Sequence, residues 1–99
     1  MQPEFKLHQD IKAGDEARAL LESKLLKECF AKLKQTYLDQ LLNTDVTQTA
    51  FRDKCWMAAR VVDVVQDHLV TVVNNGAVAK SDLAKLAQEA ERKKRFGII

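Results

Sequence analysis

The predicted fold class depends most on residues 51–73, FRDKCWMAARVVDVVQDHLVTVV. The stretch is rich in valine, which favours strands by propensity. However, Asp63, Gln66 and Asp67 interrupt the strict alternation that a half-buried strand would show, so the period favours a helix. Apolar residues recur at steps of four and three, the heptad spacing of helices that pack side by side. These heptad positions are Phe51, Cys55, Ala58, Val62, Val65, Leu69 and Val72.

The stretch that precedes it, Asp15–Asn43, predicts a partner helix of similar length. It contains few β-branched residues, and the pair Gly14-Asp15 supplies a candidate N-terminal cap. The polar run NTDVTQ then predicts a turn, in which Thr44 or Asp45 caps the next helix. The apolar stripe of this first helix consists of Leu26, Phe30, Leu33, Tyr37 and Leu41.

The remaining chain predicts a short third helix and an arm. Gly76, or Asn75 before it, can adopt the left-handed conformation that ends a helix. Ser81 and Asp82 can cap a further helix, SDLAKLAQEAERKKRF, while residues 1–13 show no helical period. The predicted fold is therefore all-α: a long antiparallel helical hairpin, a shorter C-terminal helix and an extended N-terminal arm.

The length of 99 residues predicts one domain with short appendages. We divide the chain into an N-terminal arm (1–13), a helical hairpin or three-helix domain (14–91) and a basic-apolar C-terminal tail (92–99). The content of 46% hydrophobic and 30% charged residues is typical of a folded chain.

The positive charge is concentrated at the C-terminus. The net charge is +2, and residues 1–91 carry a small net negative charge because four adjacent cations lie beyond them. Such a cluster can bind phosphates without sequence preference, but the long helices carry no matching basic stripe. Contact with nucleic acid, or with an acidic partner, is therefore the alternative hypothesis for Arg92, Lys93, Lys94 and Arg95.

Apolar residues outside the heptad positions predict a protein interface. Trp56, Met57, Val61, Val64 and Val70 belong to this group, and the alanine-rich third helix is too narrow to cover them all. A contiguous set of exposed apolar residues marks an interaction surface. We select Trp56, Val61 and Val64 as helical interface residues. A second contact is predicted at the C-terminus, where Phe96, Ile98 and Ile99 follow Arg95.

The sequence predicts no enzyme activity, cofactor, metal site or small-molecule substrate. His8 and His68 share no motif, and the chain lacks the phosphate-loop, hydrolase and zinc-binding patterns. Cys29 and Cys55 lie on apolar helical positions and are interpreted as small buried hydrophobic residues. No apolar run approaches the roughly 18–20 residues that span a membrane, and the N-terminus lacks a signal-peptide core, which predicts a cytoplasmic protein.

Residues 14–87 resemble a group of small helical-hairpin proteins encoded in tailed-bacteriophage genomes. The similarity lies in the opening ARALLESKLLKECF, the exit YLDQLL and a second helix with an aromatic residue that closes on HL, TVV and NG. The group has no assigned activity or catalytic residues, so the resemblance carries no site residue over to this chain.

The resemblance implies a small, non-enzymatic phage protein that belongs to the virion or to its assembly. Together with the surplus of apolar residues on the second helix, this context leads us to expect a homo-oligomer, a complex with phage structural proteins, or both, without membrane contact. The expected location is the cytoplasm of a bacterial host, with incorporation into the virion left open. A nucleic-acid-binding packaging or regulatory protein, and an inhibitor of a host enzyme, remain the alternatives.

Overall fold

A computed structural model describes residues 3–95 and contains three α-helices within that range. They are α1 (Glu4–Glu22), α2 (Lys24–Leu42) and α3 (Thr49–Arg95), and the described residues include no strand. The prediction of an all-α protein is therefore confirmed. The described residues form two units: unit 1 joins those up to Arg18 to those from Thr71 onward, and unit 2 is Ala19–Val70.

Unit 1 is an antiparallel pair formed by α1 and the C-terminal part of α3. Residues 4 and 8 lie beside residues 83–90, whereas Gly14 lies beside Val72 and Gly76. The two backbones approach closely at the glycines, because a β-carbon on Gly14 would lie only 3.0 Å from the Gly76 Cα atom. Around this point the buried apolar side chains are Leu7, Ala17 and Ala79.

The extended N-terminal arm predicted for residues 1–13 is wrong for the described part of that segment. Residues 4–13 are the first half of α1, and Leu7 within them is almost completely buried, with 1% of its surface exposed. The predicted helix start at Gly14-Asp15 lies inside α1. Periodicity did not reveal this helix because one of its contact positions is a glycine, which carries no apolar side chain.

The predicted third helix is also wrong, because α3 continues without interruption through Asn74, Asn75 and Gly76 to Arg95. The long helix is therefore the C-terminal one. Glycine inside a helix costs about 1 kcal/mol relative to alanine, so it is a reasonable stop signal in a sequence. Here Gly76 is buried against α1, and its missing side chain permits the close backbone contact.

Unit 2 contains α2 paired antiparallel with the N-terminal part of α3. The Lys34 ammonium donates to the Asp63 carboxylate at 2.9 Å, and nearer the turn the Cys55 thiol lies 3.9 Å from the Gln40 side-chain oxygen. The buried residues of α3 in this unit are Cys55, Ala59 and Val62. No residue of α2 is fully buried, so unit 2 has a thin core.

The first long helix predicted from Asp15 to Asn43 is divided at Ser23. This residue has an extended backbone with φ −65° and ψ 118°, and its hydroxyl accepts a hydrogen bond from the Leu26 N–H at 3.3 Å. Serine is a favoured N-terminal cap because its oxygen satisfies a backbone donor that the first turn leaves free. Ser23 therefore ends α1 and begins α2.

The residues with which α3 packs on α2 are not all those of the predicted heptad. At every second contact position, the residue that follows the predicted one makes the contact. Cys55, Val62 and Leu69 are buried or half-buried as predicted. Between them, Ala59 and Gln66 take the contact positions expected for Ala58 and Val65. Val65 is consequently 44% exposed, on another side of the helix.

The turn before α3 uses the predicted polar residues in a different arrangement. The Gln48 side-chain oxygen accepts from the Asp45 N–H at 3.0 Å, as a capping box would have it. The helix itself begins later, since the Arg52 N–H donates to the Gln48 carbonyl at 2.9 Å. Asp45 therefore closes the turn instead of capping α3: its carboxylate accepts from the Thr47 hydroxyl and from the Thr47 N–H.

Removing the Thr47 hydroxyl should raise the pKa of the Asp45 carboxyl. The hydroxyl bond, followed by the backbone bond from Thr47, lowers the pKa of Asp45 below its ordinary value of 3.8. Because its pKa is lower in the folded state, the Asp45 carboxylate stabilises the turn at pH values above its unfolded-state pKa. This stabilisation disappears as the pH falls through the folded-state pKa. We expect Thr47→Val to raise the Asp45 pKa and Thr47→Ser to keep it low in an NMR titration. Equal pKa values in the two variants would contradict the assignment.

Candidate functional site

The most prominent surface feature of the described residues is an apolar side of α3 in unit 2 that no other helix covers. Met57, Val61 and Val64 follow each other at steps of four and three, which places them on one side of the helix. Val61 is 58% exposed and Val64 is 50% exposed, and Val65 borders them. We call the set Met57, Val61, Val64 and Val65 the outer face.

The outer face lies away from the side of α3 that packs on α2. Adjacent residues on a helix point about 100° apart, so Val61 and Val62 point in clearly different directions. Val62 is buried in unit 2, whereas Val61 is exposed. This part of α3 is therefore apolar on two sides, and only one of them is covered.

Exposed large apolar residues are concentrated in unit 2. Among the described residues, unit 1 contributes only Phe5 and Val78 to this group. Unit 2 contributes Leu20, Leu25, Leu33, Leu42, Val46, Phe51, Trp56, Met57, Val61, Val64, Val65 and Val70. Isolated exposed apolar residues are ordinary on any protein. What distinguishes the outer face is that its members are contiguous.

Two charged residues flank the outer face on the same side. Arg60 and Asp67 are exposed and lie seven residues apart, which is two helical turns. Lys54 and His68 continue the four-and-three spacing at the two ends of the face. The face is thus a short apolar strip with a charge of each sign along one edge.

The structure brings together two of the three predicted helical interface residues. Val61 and Val64 lie on the outer face, whereas Trp56 lies on a flank of α3, where it lines a shallow surface with Leu41 and Arg52. Met57 and Val65 belong to the outer face but were not selected from the sequence. The step from Met57 to Val61 and Val64 repeats the heptad spacing and was the signal that could have identified the face.

The predicted basic cluster forms the last turn of α3. Arg92, Lys93, Lys94 and Arg95 are all exposed, and Lys93 lies 3.9 Å from the Glu89 carboxylate. Because the four residues are consecutive in a helix, their side chains point to all sides of it. They therefore form no single basic face for a nucleic-acid backbone. The C-terminal contact predicted for Phe96, Ile98 and Ile99 lies outside the described residues.

Other candidate chemistry is sparse in the described part of the chain. No group of three or more His, Cys, Asp or Glu residues between positions 3 and 95 is arranged to hold a metal ion. Cys55 is buried as predicted, but Cys29 is exposed, so the interpretation of both cysteines as buried residues holds for one of them. Asp63 is engaged by Lys34.

None of the described helices combines the length and the hydropathy that crossing a membrane requires. Comparison with protein-family models, with curated proteins and with solved structures gave no significant match.

Proposed function

We propose that this chain is a non-enzymatic assembly protein that binds other protein chains through the outer face of α3. The observation that carries the proposal is the contiguous exposure of Met57, Val61, Val64 and Val65 on one side of a helix whose other side is already packed. Contiguous apolar surface on a folded protein typically marks an interaction site.

The energetics of burial support this assignment. Covering a valine, leucine or methionine side chain completely contributes about 1.5–3 kcal/mol relative to leaving it exposed. The outer-face residues are roughly half exposed, so each still has a substantial part of this energy to gain. The thin core of unit 2 adds to the argument, because a partner would supply burial that α2 does not provide.

The resemblance to helical-hairpin proteins of tailed bacteriophages supports a more specific proposal. In this proposal the chain is a structural or assembly protein of a phage, which acts in the host cytoplasm and docks on itself or on a virion component. In this proposal the apolar residues Phe96, Ile98 and Ile99, which lie outside the described residues, provide a further contact in addition to the outer face.

Mass spectrometry of particles tests the proposed function. Virions and assembly intermediates would be purified from cells infected with the phage whose genome encodes the chain. We expect the chain to be present in mature particles or in intermediates at a copy number comparable with that of a structural protein. Its absence from both preparations would overturn the proposed function.

A further inference from the structure

We propose that the outer face binds a second copy of this chain, with the two α3 helices antiparallel and related by a two-fold axis. This inference rests on the proposed function, because it names the first partner of the same face. Two features of the face carry it, the spacing of its residues and the charges at its edge.

The spacing of the face is the same in both directions. From Met57 to Val61, to Val64 and to His68, which lies just beyond the end of the face, the steps are four, three and four. A reversed copy therefore has the same spacing of positions. Val61 then meets Val64 of the second copy, and Met57 meets His68 of the second copy. A two-fold interface requires such a self-complementary surface, since the same patch is used by both chains.

The flanking charges favour the antiparallel arrangement. We place the two-fold axis halfway between Val61 and Val64 along the axis of α3. The edge of the face that carries Arg60 and Asp67 then lies against the same edge of the second copy. At a rise of 1.5 Å per residue, Arg60 and Asp67 of the second copy lie within about 3 Å of the same level, whereas the two Arg60 residues are about 8 Å apart in level. Two symmetric pairs of opposite charge result.

A parallel pairing of the two α3 helices would not bring Arg60 opposite an acidic residue. In that arrangement the residue opposite Arg60 at the edge of the interface is Val65, which is apolar. In the antiparallel arrangement Val65 instead meets Ala58 of the second copy on the opposite edge, so apolar residues meet apolar residues. The residues at the two edges of the interface therefore favour the same orientation.

Reversing the charge at Arg60 or at Asp67 tests the antiparallel alignment of the two helices. Arg60→Asp places two carboxylates in each of the two symmetric pairs, and Asp67→Arg places two guanidinium groups in each of them. Both positions are exposed, so the fold should survive, which circular dichroism checks. We expect each variant alone to dimerise about tenfold more weakly than the parent chain. An equimolar mixture should form heterodimers with parent-like affinity, as measured by native mass spectrometry.

Two results would overturn the inference. One is that the single variants dimerise as tightly as the parent chain, or that their mixture recovers no heterodimer, since either outcome contradicts the register. The other is a parent chain that stays monomeric at high concentration. If the monomeric chain is nevertheless found in particles, the proposed function stands and only self-association fails. If a dimeric chain is absent from particles and intermediates, the proposed function fails and the dimer stands.

Discussion

Replacing Gly76 by leucine is expected to detach α1 from α3 and to unfold unit 1 locally. A β-carbon at this position would lie 3.0 Å from the Asp10 carbonyl oxygen and 3.0 Å from the Gly14 Cα atom. Both neighbours are backbone atoms, which cannot rotate away as a side chain can. Leucine therefore forces the helices apart, and Leu7 loses its burial.

The expected loss of stability is about 3 kcal/mol, at the upper end of the range for overpacking. Leucine is a better helix former than glycine by somewhat less than about 1 kcal/mol, so the gain in helix propensity does not offset the clash. Hydrogen exchange of the α1 amides would measure the change. Ala77→Leu is the matched control, because Ala77 is exposed one residue further along the same helix, and it should alter protection little. Full protection of α1 in Gly76→Leu would contradict the glycine contact.

Replacing Val61 by glutamate is expected to weaken self-association by at least about 100-fold. Val61 is 58% exposed in the single chain, so a carboxylate is tolerated there by the folded monomer. In the dimer the same carboxylate faces Val64 of the second copy, and the two-fold axis places two such charges in the interface. Neither carboxylate has a cation on the apolar strip to pair with.

Val70→Glu is the matched control for this change. Val70 is a valine on the same helix with a similar exposure of 45%, and it lies nine residues further on, about half a turn round the axis from Val61. We expect Val70→Glu to dimerise like the parent chain when both variants are compared by analytical ultracentrifugation. Equal dissociation constants for Val61→Glu and Val70→Glu would show that the outer face is not the interface.

Helix content and the apolar side of α2 were predictable because they depend on local spacing. Leu26, Phe30, Tyr37 and Leu41 are half-buried as the period predicts, and only Leu33 of that stripe is exposed, at 45%. The surplus of apolar residues on α3 was also recognisable. A helix of this length shows its period over many turns, so no tertiary information is needed to identify it.

The contact between α1 and α3 was not predictable from apolar periodicity. Gly14 and Gly76 contribute by lacking side chains, and a pattern of hydrophobic residues does not register such a contribution. Glycine beside asparagine is an ordinary helix stop. Gly76 instead lies inside α3, where α1 packs against it.

The choice of which side of α3 packs on α2 was open for a different reason. The predicted contact residues Ala58 and Val65 are at least as apolar as Ala59 and Gln66, which make the contact in the structure. A helix with two apolar sides offers two solutions of similar hydrophobicity. The structure places Gln66 towards α2 and leaves Val65 with the outer face.

Sedimentation equilibrium of the unmodified chain measures the self-association that a second copy on the outer face requires. Over concentrations from about 1 to 100 μM, mass action predicts an average mass that rises from that of the 11.2 kDa chain towards twice that value. An average mass that stays at 11.2 kDa throughout the range would exclude the proposed dimer.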